Sequence, residues 1–340
     1  MRVAVLAGGR SSEHGVSLDS ARSVLAGLEA AGHECRPIVI DREGVWRAHD
    51  PRVADPGNSA NGPALALEPG GGVLDADVVF PVLHGPFGED GTVQGMLECA
   101  DVPYVGAGVL ASALCMDKAI FKRLMAQAGV PQVRHEVVWE HEWSADRGAV
   151  IERARAVPVP QFVKPARLGS SYGISRVGGE ADLPDALEAA FRHDPCALIE
   201  AAADGTEVEC SVIGNREPLA SEPGEVVAHG DWYDYESKYT EGGMELIVPA
   251  RIGQAQRDRV RRLAVEAFKA SGCAGMARVD FFVTERGQVL VNELNTIPGF
   301  TSTSVFARLM EASGIAYPKL LDRLLGYAVD RFESERRHRF

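Results

Sequence analysis

The chain lacks the marks of secreted, membrane-spanning and nucleic-acid-binding proteins. No stretch approaches the roughly 18 uninterrupted apolar residues of a membrane helix, so no membrane partner is expected. Met1–Ala7 runs into a strand-like segment with no signal-peptide apolar region or cleavage site. Basic residues are outnumbered, 35 Lys+Arg against 48 Asp+Glu, for a formal net charge of −13 and a pI near 5.2. Such a surface repels a phosphate backbone, so no nucleic-acid partner is expected either. The 6 cysteines are scattered, with no C-x-x-C pair. That spacing argues against a zinc site or a disulfide framework and fits free thiols in a reducing cytoplasm. There is no G-x-x-x-x-G-K-[ST] loop and no G-x-G-x-x-G after the first strand, which disfavours a P-loop NTPase and a Rossmann NAD enzyme. What is present is ordinary: 340 residues, 46% apolar and 24% charged, with 36 Gly and 19 Pro, the make-up of a globular protein of two or three domains.

The opening reads as strand, loop, helix. Val3–Ala7 is a continuous apolar run, as a buried parallel strand requires. The polar loop Gly8-Gly9-Arg10-Ser11-Ser12-Glu13-His14 follows. From Ser17, read as an N-cap, Ala21, Val24, Leu25 and Leu28 repeat at helical spacing until Gly32. With a second strand at Pro37–Ile40, this predicts a doubly wound parallel-sheet α/β domain whose working loops lie at strand C-termini. Residues 50–63 read as an exposed loop. A buried strand over Asp77–Leu83 stops at His84-Gly85-Pro86-Phe87-Gly88-Glu89-Asp90-Gly91, and a helix over Thr92–Cys99 follows. Farther on come a helix over 117–128, a strand at Gln161–Lys164, a glycine-bearing turn over 165–173, a helical stripe from Leu183 to Phe191 and a strand at Ala197–Glu200. The last third holds a helix near 254–271 and strands at Met276–Val283 and Gln288–Leu294. The mostly charged end, Arg331–Phe340, reads as frayed.

The most informative pair of segments is Arg278-Val279-Asp280 and Asn292-Glu293-Leu294-Asn295. Alternation puts Arg278 and Asp280 on one strand face, and Glu293 and Asn295 on one face of the next. If Arg286-Gly287 is a two-residue hairpin turn, residue 280 sits opposite 293. Two carboxylates and an amide oxygen then form a hard, oxygen-only set suited to Mg²⁺ and the phosphates it carries. A single such pair could equally be a solvated hairpin face, and a one-residue slip would divide the carboxylates between two faces. Lys118, Lys122, Lys164 and Lys238 stand near glycines or strand ends, where a lone lysine is most often surface decoration. Lys164 differs in preceding Gly169-Ser170-Ser171-Tyr172-Gly173, a loop able to offer backbone N–H groups to phosphate.

In combination, eight motifs in order over residues 6 to 304 resemble the ATP-grasp superfamily and, more closely, the D-alanine–D-alanine ligases. They begin with Gly8-Gly9-x-Ser-Ser12-Glu13-His14-x-Val16-Ser17, His84-Gly85-Pro86-x-Gly88-Glu89-Asp90-Gly91, Pro103-Tyr104-Val105-Gly106 and Met116-Asp117-Lys118. Lys164-Pro165 with Gly169-Ser170-Ser171-x-Gly173 and Tyr233-Asp234-Tyr235-x-x-Lys238-Tyr239 follow, then Arg278-x-Asp280 and Asn292-Glu293-x-Asn295-Thr296-x-Pro298-Gly299-x-Thr301-x-x-Ser304. The resemblance implies an ATP-grasp fold, α/β at the N-terminus and α+β in the C-terminal part, in three domains: 1–105 on the first D-alanine side, 106–200 a central subdomain and 201–340 a C-terminal subdomain with the metal and oxyanion site. It implies ATP as co-substrate and Mg²⁺, two ions with Mn²⁺ as a substitute. The reaction would join two D-alanines through a D-alanyl phosphate, for peptidoglycan precursor synthesis.

Carried over position by position, Glu13 would meet the ammonium of the first D-alanine, with His84 close by. Lys118, Lys164, Ser170, Ser171, Glu200, Glu207 and Lys238 would bind ATP, with Glu200 beside adenine and Glu207 on the ribose. Asp280, Glu293 and Asn295 would hold metal. Arg278 and the Gly299 N–H would stabilise the oxyanion, and Ser304 would hold the second carboxylate. Glu13, Ser170 and Tyr239 would form a latch, and Asp231–Gly243 a lid that excludes water. The resemblance further implies a cytoplasmic homodimer. Departures are Gly15 in place of a second glutamate, Ala201-Ala202-Ala203 in the hinge and Ala307-Arg308-Leu309 where proline is common. Open alternatives are a D-alanine–D-lactate or D-alanine–D-serine ligase, another ATP-grasp carboxylate–amine ligase, and a non-catalytic nucleotide binder.

Overall fold

The computed structural model describes residues 1–53, 62–66, 69–73, 75–169, 173–228 and 244–338. The chain builds three sheets. The first takes strands β1 (Arg2–Gly8), β2 (Glu34–Ile40), β3 (Trp46–Ala48) and β4 (Val78–Pro81) in the order β3-β2-β1-β4. β1 pairs in parallel with β2 and β4, and β3 adds an antiparallel edge. The apolar run of β1 is continuous because both faces are covered. Val3, Val5 and Ala7 face helix α1 (His14–Ala30), whereas Ala4 and Leu6 face α2 (Thr92–Cys99) and the 100–104 segment.

α1 begins three residues before the expected N-cap. Ser17 is wholly buried inside it, accepting from the Gly8 N–H at 2.8 Å and donating to the Val82 carbonyl, so its hydroxyl ties β1 to the chain beyond β4 instead of capping a helix.

Helices α3 (Val109–Met116) and α4 (Lys118–Gln127) lead into the second sheet. Asp117 caps α4, its carboxylate accepting from the Ile120 N–H at 3.0 Å. Strands β5 (His135–Trp139), β6 (Gln161–Pro165), β7 (Ser175–Val177) and β8 (Cys196–Ala201) run antiparallel as β5-β8-β6-β7. Helices α5 (Glu140–Ala145), α6 (Arg147–Ala154) and α7 (Leu183–Phe191) cover it.

The third sheet is antiparallel: β9 (Thr206–Gly214), β10 (Leu219–Ala220), β11 (Gly224–Ala228), β12 (Met244–Ile247), β13 (Gly275–Val283) and β14 (Val289–Asn295), in the order β12-β11-β9-β13-β14 with β10 beside β9. Its longest pairing, β9 with β13, runs the full nine residues of each strand. Helix α8 (Gln254–Ala270) packs Val260, Leu263, Ala264, Ala267 and Phe268 on one face. Helices α9 (Val305–Ala312) and α10 (Tyr317–Arg336) close the chain.

The charged end is not frayed over the described residues. α10 runs to Arg336 because it returns to the first sheet, with Leu320, Leu321, Leu324 and Leu325 buried beside Val24, Leu25 and Leu28 of α1. Arg331 donates to the carbonyls of Gly106 (3.1 Å) and Tyr104 (3.3 Å) and lies over the Tyr104 ring, while Arg336 bonds Asp101 at 2.7 Å. The charges that suggested a loose tail are its anchors.

Close α1–α10 packing rests on Gly27, where a Cβ would lie 2.5 Å from Leu321 Cδ1 and 2.9 Å from Tyr317 Cε1. Tyr317 cannot swing clear, since its hydroxyl donates to the Phe300 carbonyl at 2.7 Å. Gly27→Val is expected to destabilise by about 1–3 kcal/mol. Gly326→Ala in α10, which meets nothing within 4 Å, is expected to change stability by less than about 1 kcal/mol, in the stabilising direction. Urea-unfolding midpoints of the two variants check this.

Candidate active site

The β13–β14 hairpin pairs Arg278 with Asn295 and Asp280 with Glu293, as the sequence predicts, but by a different path. The turn holds three residues: the Thr284 N–H donates to the Gln288 carbonyl at 2.9 Å, the Gly287 N–H to the Thr284 carbonyl at 2.8 Å, and Gly287 has φ +77°. That shifts the register by one. A β-bulge then shifts it back, because Phe281 pairs with Val291 and leaves Asn292 extra. The bulge also reverses the alternation. Val289, Val291 and Leu294 all reach the core beside Val279, Phe281 and Val283, and Glu293 and Asn295 keep the opposite face with Asp280.

That face is a charge cluster. The Arg278 guanidinium donates to both carboxylate oxygens of Asp280 at 2.7 Å, and Asn295 Nδ2 donates to Asp280 at 3.0 Å. Glu209 of β9, register partner of Asp280, stands 2.9 Å from Arg278 Nε. Burial alone would discourage the Arg278 charge, but Asp280 and Glu209 outweigh it and hold the group firmly protonated. Sequence reading missed Glu209; its one signal was an acidic residue between Val208 and Cys210 in a mostly apolar run. The described residues contain no group of three or more His, Cys, Asp or Glu side chains gathered as a metal site. Asp280, Glu293 and Asn295 nonetheless offer only oxygen ligands from one sheet face, a partial set that phosphate oxygens and water would complete, and this fits Mg²⁺.

A second cluster occupies the middle sheet. Glu200 on β8 bridges Lys122 Nζ at 2.8 Å and Lys164 Nζ of β6, and Lys164 also reaches Asn292 Oδ1 at 3.4 Å. The Glu200 carboxylate is therefore engaged by lysines, with its side chain only 3% exposed. Burial pushes its acidity down, yet the two ammonium groups outweigh burial and hold its pKa at about 2. Burial lowers Lys122, whereas Lys164 is raised, since Glu200 and Glu293 outweigh its own burial. Lys118 donates to the Leu168 carbonyl at 2.8 Å and stands 3.5 Å from Glu293. Glu207 sits two residues before Glu209 on β9, opposite Phe282.

Glu13, His84, Arg278 and Glu293 line one cavity of about 380 Å³, together with Asn295, Gly299 and Ser304. Glu13 is buried against backbone: a Cβ at Gly85 (φ +74°) would sit 2.5 Å from its carboxylate and one at Gly169 3.4 Å. His84 Nδ1 donates to the Ile297 carbonyl at 3.0 Å, and its Nε2 lies 3.2 Å from Ser20 Oγ, which accepts from the Phe300 N–H at 3.3 Å. The histidine thus clamps the 297–300 segment to the first sheet. Burial disfavours its charge, but Glu89 and Glu13 outweigh burial and raise its pKa above the usual imidazole value. Ser304 precedes α9 and accepts from the Thr301 N–H at 3.0 Å; a Cβ at Gly299 would lie 3.4 Å from Ser304 Oγ. Ser170, Ser171, Lys238 and Tyr239, with the expected latch and lid, lie outside the described residues.

Family models described as D-ala D-ala ligase N-terminus and D-ala D-ala ligase C-terminus match residues 2–107 and 124–326. A D-alanine–D-alanine ligase of Deinococcus radiodurans is 46% identical over 97% of this chain and 98% of the relative. One from Mycolicibacterium vanbaalenii is also 46% identical, over 97% and 98%. The solved D-alanine–D-alanine ligase of Coxiella burnetii superposes with a TM-score of 0.89 at 35% identity, covering 99% of this chain and 96% of that one. The VanG D-Ala:D-Ser ligase of Enterococcus faecalis gives 0.86 at 35%, covering 96% and 99%.

The Glu200 bridge carries a pH signature. Its carboxyl drops from an ordinary 4.5 to about 2 in the folded protein. It therefore stabilises the fold fully above pH 4.5, and that stability is lost as pH falls toward 2. Glu200→Gln is expected to cost about 3–5 kcal/mol at pH 7 by leaving two buried ammonium groups without their anion. Urea midpoints of wild type and variant at pH 7 and pH 3 are expected to converge toward the lower pH.

Proposed function

The chain belongs to the D-alanine–D-alanine ligase family, and on that premise we propose that it uses ATP to join two D-alanines, with the groups described above in defined roles. The product, D-alanyl-D-alanine, serves peptidoglycan precursor synthesis. The observation that carries the site assignment is the single cavity where Glu13 and His84 of the N-terminal part face Arg278, Gly299 and Ser304 of the C-terminal part. We take the working units as 1–105, 106–200 and 201–340.

In this reading a carboxylate oxygen of the first D-alanine attacks the γ-phosphorus of ATP, ADP leaves, and a D-alanyl phosphate forms. The amine of the second D-alanine then attacks the carbonyl carbon, and the tetrahedral intermediate expels phosphate. Glu13 holds the first ammonium, with His84 keeping the neighbouring 297–300 segment in place. Lys118 and Lys164 neutralise phosphate, and Lys238, Ser170 and Ser171 act on ATP from segments of their own. Glu207 takes the ribose hydroxyls, and Glu200, which holds Lys122 and Lys164, sits in the hinge strand beside adenine. Arg278 and the Gly299 N–H face the oxyanion as charge develops, where preorganised donors contribute most. Ser304 receives the second carboxylate, and Tyr239 joins Glu13 and Ser170 in closing the cavity against water. Asp280, Glu293 and Asn295 would hold Mg²⁺, two ions replaceable by Mn²⁺, which would supply charge neutralisation to the polyphosphate.

A cytoplasmic homodimer completes the proposal. Among the described residues no helix is long and apolar enough to cross a membrane, and all 6 cysteines are free thiols.

With ATP and Mg²⁺, D-alanine alone is expected to release phosphate and give the dipeptide by mass. Product only in mixtures with D-serine or D-lactate would transfer the assignment to the second-substrate alternatives. Arg278→Ala is expected to keep nucleotide binding by calorimetry while turnover falls by about 10²–10³-fold, the loss typical of one oxyanion donor. Arg278→Lys, which keeps a cation between Glu209 and Asp280, is expected to keep more of the wild-type stability than the alanine variant without full activity.

A further inference from the structure

Cys115 and Cys273 are 158 residues apart in sequence, yet their sulfurs lie 3.9 Å apart. Cys115 is the penultimate residue of α3, and Cys273 occupies the turn between α8 and β13. Each is 7% exposed within one apolar cluster, and the proposed chemistry uses neither. Cys115 also lines a cavity of about 30 Å³ with Lys118, Glu293 and Asn295. A small oxidant arriving at the phosphate-binding side therefore meets one thiol of the pair directly.

We infer that Cys115 and Cys273 form a latent disulfide whose closure displaces Lys118 and weakens nucleotide binding. The inference rests on the assignment of Lys118 to the ATP phosphates. A disulfide requires sulfurs about 2.05 Å apart, so the pair must approach by nearly 2 Å from its present contact. The Cys273 side is held: its N–H donates to the Phe268 carbonyl at 3.1 Å. Two residues on, Gly275 (φ +73°) abuts the chain so closely that a Cβ would lie 2.9 Å from Gly106 N. The end of α3 carries the longer bond, from the Asp117 N–H to the Ala113 carbonyl at 3.3 Å, and runs through Asp117 directly into Lys118, whose N–H donates to the Ala166 carbonyl at 3.0 Å. A shift there disturbs both the Leu168 bond and the approach to Glu293.

With hydrogen peroxide the steps balance. The Cys115 thiolate attacks one peroxide oxygen and hydroxide leaves, giving a sulfenic acid. The Cys273 sulfur then attacks Cys115 sulfur, loses its proton, and expels the sulfenic oxygen as water. In sum, two thiols and one peroxide give one disulfide and two waters, and a dithiol reverses the change. The hydrogen bond to Cys115 and burial hold the Cys273 thiol well above the ordinary thiol range. Closure is accordingly slow, and reopening needs a dithiol that can reach a buried bond.

The test treats the full chain with hydrogen peroxide, maps unreduced peptides by mass, and follows D-alanine-dependent phosphate release. The expected result is an intramolecular Cys115–Cys273 peptide pair, a rise of fivefold or more in the KM for ATP with a smaller change in kcat, and recovery of both with dithiothreitol. Cys273→Ala is expected to keep the basal KM and to lose the response. Complete oxidation of the exposed Cys99 with no linked pair overturns the inference, as does an equal KM rise in Cys273→Ala. A linked pair with unchanged KM overturns the coupling to Lys118. The wild-type peptide map and its reversal stand even if the variant folds poorly. Absence of turnover before any oxidation would instead count against the ligase reading, and the peptide map would still decide whether the bond forms.

Discussion

One hairpin has to serve two solvents at once. The β13–β14 pair must bury valine, phenylalanine and leucine under α8 on one side and hold carboxylates toward a polar cavity on the other. Strict alternation from Val289 onward would carry Glu293 to the same face as Val291, so its carboxylate would enter the core. A buried unpaired carboxylate costs more than a strand of this length can recover from its apolar neighbours. The additional residue at Asn292 removes the conflict by changing the phase once. It also re-aims the Asn292 side chain at Lys164, so the irregularity that rescues the core also joins the third sheet to the second.

Charge is distributed around that hairpin so that each buried ion has a partner. Arg278 lies between Asp280 and Glu209, and Glu200 lies between Lys122 and Lys164. The first cluster carries one more carboxylate than cation, and the second one more cation than carboxylate. An arriving triphosphate in the proposed role would face the surplus cation, while a divalent ion would face the surplus carboxylate. The two imbalances are complementary to the two halves of a metal–nucleotide complex, and neither could grow without leaving an ion unpaired in the fold.

Legibility followed sequence distance. The β1 run, the Thr92–Cys99 helix and the strand containing Arg278 were readable because each is set by local periodicity. The 280–293 pairing was expected from a two-residue turn, and it occurs through a three-residue turn and a bulge that cancel. Glu209 and the Lys122–Glu200–Lys164 bridge were hidden because they depend on which strands become neighbours across the sheet. Ser17 misled because a hydroxyl that caps a helix and one that ties two strands look alike in sequence. The tail misled for a similar reason: Arg331 and Arg336 read as solvated charge until the carbonyls of Tyr104 and Gly106 and the carboxylate of Asp101 come within reach.

Those tail contacts and the His84 clamp act on the same seam. α10 leaves the C-terminal part and packs across α1, and His84 and Ser20 hold the Ile297–Phe300 backbone against the first sheet. The Glu13 wall of the cavity and the Gly299–Ser304 wall are therefore joined by side-chain-to-backbone hydrogen bonds as well as by apolar packing. A site that binds two small amino acids gains few contacts from each ligand, so positional precision must come from the protein. Fixing the two walls to each other in advance removes a part of the ordering cost that binding would otherwise bear.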